Sequence, residues 1–254
     1  MLDRPLRERL DAGEPVLGTF QILDSMMVSE MAAVAGFDFV VIDREHGPMT
    51  TETAMQMCAG AQARGVDPII RVGEGSAARI QRALDLGASG VQVPQIETER
   101  DARRAVEAAR FHPIGQRGLS PYGRAGDYQG GADFTTEQNA RTTLIVQVEG
   151  EEAIENLDAI LSVDGIDVLF VGPYDLSQSL GVPGDIEDER VRELMTDIVD
   201  RAAKAGTTVG TYADTPAQAR GWIDAGVTYV TLSEDSPTLY RAFEDLVGRV
   251  GLHE

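Results

Sequence analysis

Short runs of apolar, largely β-branched residues alternate along this chain with longer segments whose apolar residues recur at helical spacing. The runs predict strands at Val16–Ile22, Phe37–Ile42, Pro68–Val72, Gly90–Val93, Thr143–Val148, Val168–Val171, Thr208–Tyr212 and Tyr229–Leu232. Between them, Ser76–Leu86, Glu97–Ala109 and Arg190–Ala203 have the spacing of amphipathic helices. Glycines placed just before strands, in Ala35-Gly36, Leu86-Gly87, Ala205-Gly206 and Ala225-Gly226, have the position of helix C-caps. About eight βα units in unbroken succession point to an α/β fold, a (β/α)8 TIM barrel, as one domain over residues 1–254. The competing architecture is a doubly wound sheet, but no dinucleotide fingerprint or Walker loop follows an early strand. Residues 111–133 interrupt the rhythm with a long stretch rich in Gly, Pro and aromatics, a connection of the kind that is often functional.

Composition narrows the classes. A chain of 254 residues with 43% hydrophobic content can bury a large core. No uncharged apolar run approaches the length of a membrane span, and the residues after Met1 lack an apolar signal stretch, so a cytoplasmic protein is expected. Cys58 is the only cysteine, which rules out an intrachain disulfide and thiol-rich metal sites. Forty-two acidic residues against 22 basic ones give a formal charge of −20, and Lys204 is the only lysine. Such a surface repels nucleic acid and anionic membranes. Its acid is dispersed through helical segments instead of gathered in a tail. With lysine nearly absent, that suits a halophilic, salt-rich setting in which screening removes self-repulsion.

In a barrel, chemistry gathers where strands end at their C-terminal side. Here those ends read Asp43-Arg44-Glu45-His46-Gly47-Pro48 after the second strand and Ile70-Arg71-Val72 at the third. The fifth ends in Gln147-Val148-Glu149-Gly150 and the sixth in Gly172-Pro173-Tyr174-Asp175. Singly, each has an ordinary explanation: Asp175 as a helix N-cap, Arg71 as the partner of a nearby carboxylate, His46 as a structural hydrogen-bonder. Gln147 and Glu149 lie two apart on one strand and so project to the same side, and polar groups at the end of an apolar run need partners, which a bound ion would supply.

The segments FDFVVIDREHGP (37–48), IIRV (69–72), VQVPQIET (91–98), QVEG (147–150) and IDVLFVGPYDLSQSLG (166–181) resemble, in order and over nearly the whole chain, the HpcH/HpaI aldolase family. That resemblance implies a metal-dependent, class II pyruvate aldolase that assembles as a homo-oligomer, commonly a hexamer. It makes Glu149 and Asp175 the ligands of a divalent metal; hard oxygen donors suit Mg²⁺ or Mn²⁺, with Co²⁺ a further candidate. It makes Arg71 the contact to the keto oxygen, and His46 the base that takes the C4 hydroxyl proton directly or through a bound water. Asp85 becomes the carboxylate that orients His46, and Gln147 a contact to pyruvate or to a bound water. The Gly172-Pro173-Tyr174-Asp175 turn presents the N–H groups of Tyr174 and Asp175 to the substrate carboxylate. The lysine count agrees: Lys204 falls late in an amphipathic helix, where it cannot serve as a Schiff-base nucleophile.

Two positions depart from the family pattern. Arg44 replaces a small or neutral residue, either reaching toward an anionic aldehyde or pairing with a surface acid, the second being favoured. Phe20 stands where tryptophan is frequent, on the pocket wall. The expected reaction is cleavage of a 2-keto-4-hydroxy acid, of the 2-keto-3-deoxy sugar acid kind, to pyruvate and an aldehyde, both small molecules. A CoA-ester lyase would draw on Arg79, Arg82, Arg117 and Arg124 for the CoA phosphates. The same enolate would serve an oxaloacetate decarboxylase, and a non-catalytic keto-acid binder would use the pocket without chemistry. The C-terminal segment Ser236–Val250, with Leu239, Phe243, Leu246 and Val247 on one face, either packs on its own barrel or is exchanged with a neighbouring subunit.

Overall fold

The computed structural model describes residues 4–250. Eight parallel strands close into a barrel in sequence order: β1 (Val16–Gln21), β2 (Phe39–Asp43), β3 (Asp67–Arg71), β4 (Gly90–Val93), β5 (Thr143–Val148), β6 (Val168–Val171), β7 (Thr208–Ala213) and β8 (Tyr229–Glu234), with β8 returning to β1. The fold expected from the sequence is therefore the fold observed. The three amphipathic segments are helices over Ala77–Asp85, Glu99–Ala109 and Glu189–Ala205. Gly36 and Gly206 end their helices in the left-handed region, at φ 104° and 73°, where a residue with a Cβ is strained.

Two layers of core hold this arrangement. Inside the barrel, the rings of Phe39 and Tyr229 stack with centroids 4.2 Å apart. Small residues make room for them: a Cβ on Gly18 would fall on the Phe39 ring, and one on Gly210 would lie 2.7 Å from Tyr229. The helix Leu6–Asp11 closes the N-terminal end of the barrel by burying Leu6 and Leu10 in this cluster. Outside, strand residues such as Val91, Val146 and Leu169 pack against helix residues such as Ile80, Val106 and Ile198.

Each helix after a strand runs back toward the N-terminal rim, which separates the chain's features into two ends. The stretch 111–133 lies at that N-terminal end: Arg117 donates to Asp85 at 2.6 Å, and Arg124 to Gln62 at 2.6 Å. Its expected functional role is thus not supported by proximity to the strand ends that carry Arg71 and Glu149. The C-terminal helix (Asp235–Val250) has its sheet contacts at β1 and β8 but buries none of its side chains. It does not pack along its own barrel. Among the described residues no helix is long and apolar enough to cross a membrane.

Candidate active site

At the C-terminal rim, Asp43 and Arg71 are ladder partners at the ends of β2 and β3. The Asp43 carboxylate is buried and accepts twice from Arg71, from Nε at 2.9 Å and from Nη2 at 2.6 Å. Glu45 lies 3.3 Å from Arg71 Nη1. Burial by itself would lower the Arg71 pKa, but the hydrogen bonds and charge of Asp43 outweigh it and hold the guanidinium cationic. A guanidinium has five N–H donors, so two stay free for a substrate oxygen. The Phe20 ring packs against this cation, 4.7 Å from centroid to Cζ, and meets Phe170 and Tyr212 at 6.2 Å each.

On the other side of the mouth a relay of amides aims at Glu149. Gln92 Nε2 donates to Gln147 Oε1 at 2.6 Å, and Gln147 Nε2 donates to Glu149 Oε1. Gln147 and Glu149 therefore do project together, as their spacing requires. Glu149 follows Val148 and Gly172 follows Val171, which are ladder partners, so Glu149 leaves the barrel next to the turn that carries Asp175. Burial, and then the charges of Asp175 and Glu45, push the Glu149 pKa up; burial also raises that of Asp175. A partly buried Glu149 and a more exposed Asp175 that repel one another, the first held by an N–H donor in its accepting form, form a donor set that suits a cation. A Cβ on Gly172 would run into Asp175 Oδ2, so the glycine is what leaves the carboxylate its place. Among the described residues no three His, Cys, Asp or Glu side chains converge as a ready cage.

The remaining expected residues divide. His46 stands at the same mouth, its side chain 73% exposed and its Nε2 4.0 Å from Glu45 Oε2. Tyr174 opens the helix Pro173–Ser179, and its hydroxyl donates to Asp214 instead of pointing at Glu149.

Asp85 is the clear departure. It ends the helix Ala77–Asp85 at the N-terminal side of the barrel, where its carboxylate accepts from Arg117 at 2.6 Å and from Gln81 at 3.4 Å. It does not meet His46 within one chain, because the helix that carries it has run the length of the barrel away from the site. Arg44 does not make the favoured pair with a surface acid among the described residues: it donates to Thr51 at 3.2 Å, its Nε is buried without a partner, and Arg79 and Arg82 are its charged neighbours.

Reading strand ends assigned no part to Asp43, Glu45, Gln92, Tyr212 and Glu234. Gln92 carried a usable signal, a lone amide inside the apolar run Val91–Val93, and it reaches Gln147 on the next strand. Glu234 was out of reach because β8 continues past Leu232.

The family model for HpcH/HpaI aldolase/citrate lyase matches residues 17–242. The chain belongs to the HpcH/HpaI aldolase/citrate lyase family. Among its relatives, a 2-keto-3-deoxy-L-rhamnonate aldolase of Salmonella gallinarum is 35% identical over 237 residues, 93% of this chain and 89% of the relative. An HpcH/HpaI aldolase/citrate lyase family protein of Burkholderia cenocepacia superposes with a TM-score of 0.90 at 34% identity, covering 96% of this chain and 98% of the other. The citrate synthase SbnG, at 29% identity, superposes with a TM-score of 0.88 and covers 97% of each chain. This HpcH/HpaI chain thus shares its barrel, over nearly its whole length, with these proteins.

Proposed function

We propose that this family member is a divalent-metal-dependent aldolase that cleaves a 2-keto-3-deoxy sugar acid to pyruvate and an aldehyde. One observation carries the reading: Glu149 and Asp175, oriented by the Gln92–Gln147 relay and by Gly172, share a mouth with Arg71 and His46. A divalent ion held by Glu149 and Asp175, with Mg²⁺ or Mn²⁺ suited and Co²⁺ tolerable, supplies Lewis-acid polarisation of the keto acid. Arg71, fixed by Asp43, Glu45 and Phe20, turns its free N–H groups to the keto oxygen and favours the negative charge that develops there. His46 accepts the C4 hydroxyl proton while the C3–C4 bond breaks; the C4–O electrons form the aldehyde carbonyl and the C3–C4 pair becomes the pyruvate enolate. Return of a proton to C3 gives pyruvate.

The 35% identity to 2-keto-3-deoxy-L-rhamnonate aldolase supports this substrate class. A CoA-ester lyase is disfavoured, since Arg117 and Arg124, two of its four cations, lie at the opposite end and are engaged by Asp85 and Gln62. The test is pyruvate release from 2-keto-3-deoxy acids with Mg²⁺ or Mn²⁺. Release is expected to stop on chelation and to return when the ion is restored; turnover that survives thorough chelation removes the metal from the reaction.

Assembly is part of the same reading. Leu239, Phe243, Leu246, Val247 and Val250 of the C-terminal helix are exposed, as are Met27, Met31 and Val34 on the helix that follows β1. So much uncovered apolar surface suits a second copy that exchanges this helix. Phe243→Asp with Leu246→Asp is expected to halve the assembly mass or more by light scattering, and a monomeric wild type would refute the exchange. Asp85 can orient His46 only across such a contact between two copies.

A further inference from the structure

The arc of the rim formed by β7, β8 and β1 carries groups that the pyruvate half of the reaction leaves unused. Glu234 ends β8 as the ladder partner of Phe20. Residues in register on parallel strands project to the same face, and the Phe20 ring points inward against Arg71. Glu234 therefore projects into the mouth, where Asp43, Arg71, Asp235 and His46 are its titratable neighbours. Tyr212, near the end of β7, packs its ring 6.2 Å from Phe20 and 6.3 Å from Tyr174, whose hydroxyl donates to Asp214. The wall is thus a run of aromatic faces tipped with phenols and flanked by two carboxylates. Of the cations near it, Arg71 is engaged by Asp43 and Glu45, and Arg241 is close enough to Tyr174 for its charge to be felt there.

His46 locates the reacting C4, since it handles the C4 hydroxyl proton. What lies beyond C4 is the aldehyde half of the substrate, and Glu234 is the carboxylate that β8 contributes to the mouth it shares with His46. We propose that Glu234 and Tyr212 form the subsite for that half and select a neutral, hydroxylated tail against one that ends in a carboxylate. The selection rests on the aldolase reading above and adds the charge rule that the reading lacks. Hydroxyls donate to the Glu234 carboxylate and exchange hydrogen bonds with the Tyr212 phenol. A terminal carboxylate instead enters a half-dehydrated mouth that already holds Asp43, Glu45 and Glu234, and like charges brought together there repel strongly.

The test compares two probes in one preparation, 2-keto-3-deoxy-L-rhamnonate and 4-hydroxy-2-ketoheptanedioate, as a ratio of kcat/KM. The wild type is expected to prefer the neutral-tailed acid by roughly 10- to 100-fold. Glu234→Gln is expected to shrink that ratio about tenfold, chiefly through a lower KM for the dicarboxylate. Tyr212→Phe is expected to shrink it from the other side, through poorer use of the hydroxylated tail. A misfolded fraction scales both probes equally and leaves the ratio intact. A wild type indifferent to the second charge, or a ratio unmoved in both variants, overturns the inference. Deuterium exchange at C3 of pyruvate by the wild type needs no aldehyde, so its failure strikes the aldolase reading alone.

Discussion

Replacing Glu149 and Asp175 together by alanine is expected to lower pyruvate release by roughly 10³- to 10⁴-fold, the loss of about 4–6 kcal/mol of charge stabilisation in the transition state. Stability is expected to move the other way. Glu149 is partly buried and Asp175 more exposed; partial desolvation at each, with the charge of Asp175 added at Glu149, raises their pKa values in the folded protein. A raised carboxylate pKa means that the folded state holds its proton more tightly than the unfolded one, so stability is lost as pH rises from the ordinary carboxylate range through the raised value. At neutral pH, without a divalent ion, the pair therefore works against folding. Alanine at both positions should leave the melting temperature unchanged or higher, and should abolish the rise in melting temperature that Mg²⁺ or Mn²⁺ gives the wild type. Differential scanning fluorimetry with and without the ion reads both effects. A variant that melts well below the wild type, or that keeps its response to the ion, would show that these side chains are structural.

The largest loss of stability is expected far from the site, at Arg110. Its side chain is buried and donates to the carbonyls of Asn139 at 2.9 Å, Thr142 at 2.8 Å and Gly165 at 3.1 Å, as well as to the Asp167 carboxylate. Asp167 in turn accepts from the N–H of Leu144 at 2.6 Å and lies 2.5 Å from Arg7 Nη1. One guanidinium thus ties the end of the helix Glu99–Ala109 to the start of β5 and to the turn before β6. Arg110→Ala strands three carbonyls and leaves Asp167 with Arg7 as its remaining cation, a change that costs about 3–5 kcal/mol. Urea unfolding should show the midpoint fall accordingly. Asp167→Asn, which keeps an acceptor for Leu144, should cost less. A loss under about 1 kcal/mol in Arg110→Ala would mean that water replaces the guanidinium freely.

How much of this was readable in the residues depends on what each feature answers to. The strands were legible because local β-branched runs and glycine punctuation state the same period: all eight were placed, with errors confined to their ends. Those ends decided what was missed. With β8 closed at Leu232, Glu234 falls in a connection, whereas the strand carries it to the mouth. Asp43 and Glu45 were visible in the stretch after β2, but nothing local states that Asp43 is the ladder partner of Arg71. Gln147 and Glu149 were found because two-residue spacing is local geometry. Asp85 came from resemblance alone, and the direction of its helix takes it to the far rim. The C-terminal helix shows the remaining limit: its apolar face is plain in the sequence, but whether that face meets its own barrel is a tertiary question, and here it does not.

Strands β2 to β6 present Arg71, His46, Glu149 and Asp175, while β7, β8 and β1 present Tyr212, Glu234 and Phe20. On the proposed reading, the two fragments of the cleaved molecule are thus served by separate sectors of one ring. On that same reading, a library confined to positions 212 and 234 would retune which aldehyde is accepted while leaving Glu149, Asp175 and Arg71 in place, an evolvability that follows from closing the sheet on itself.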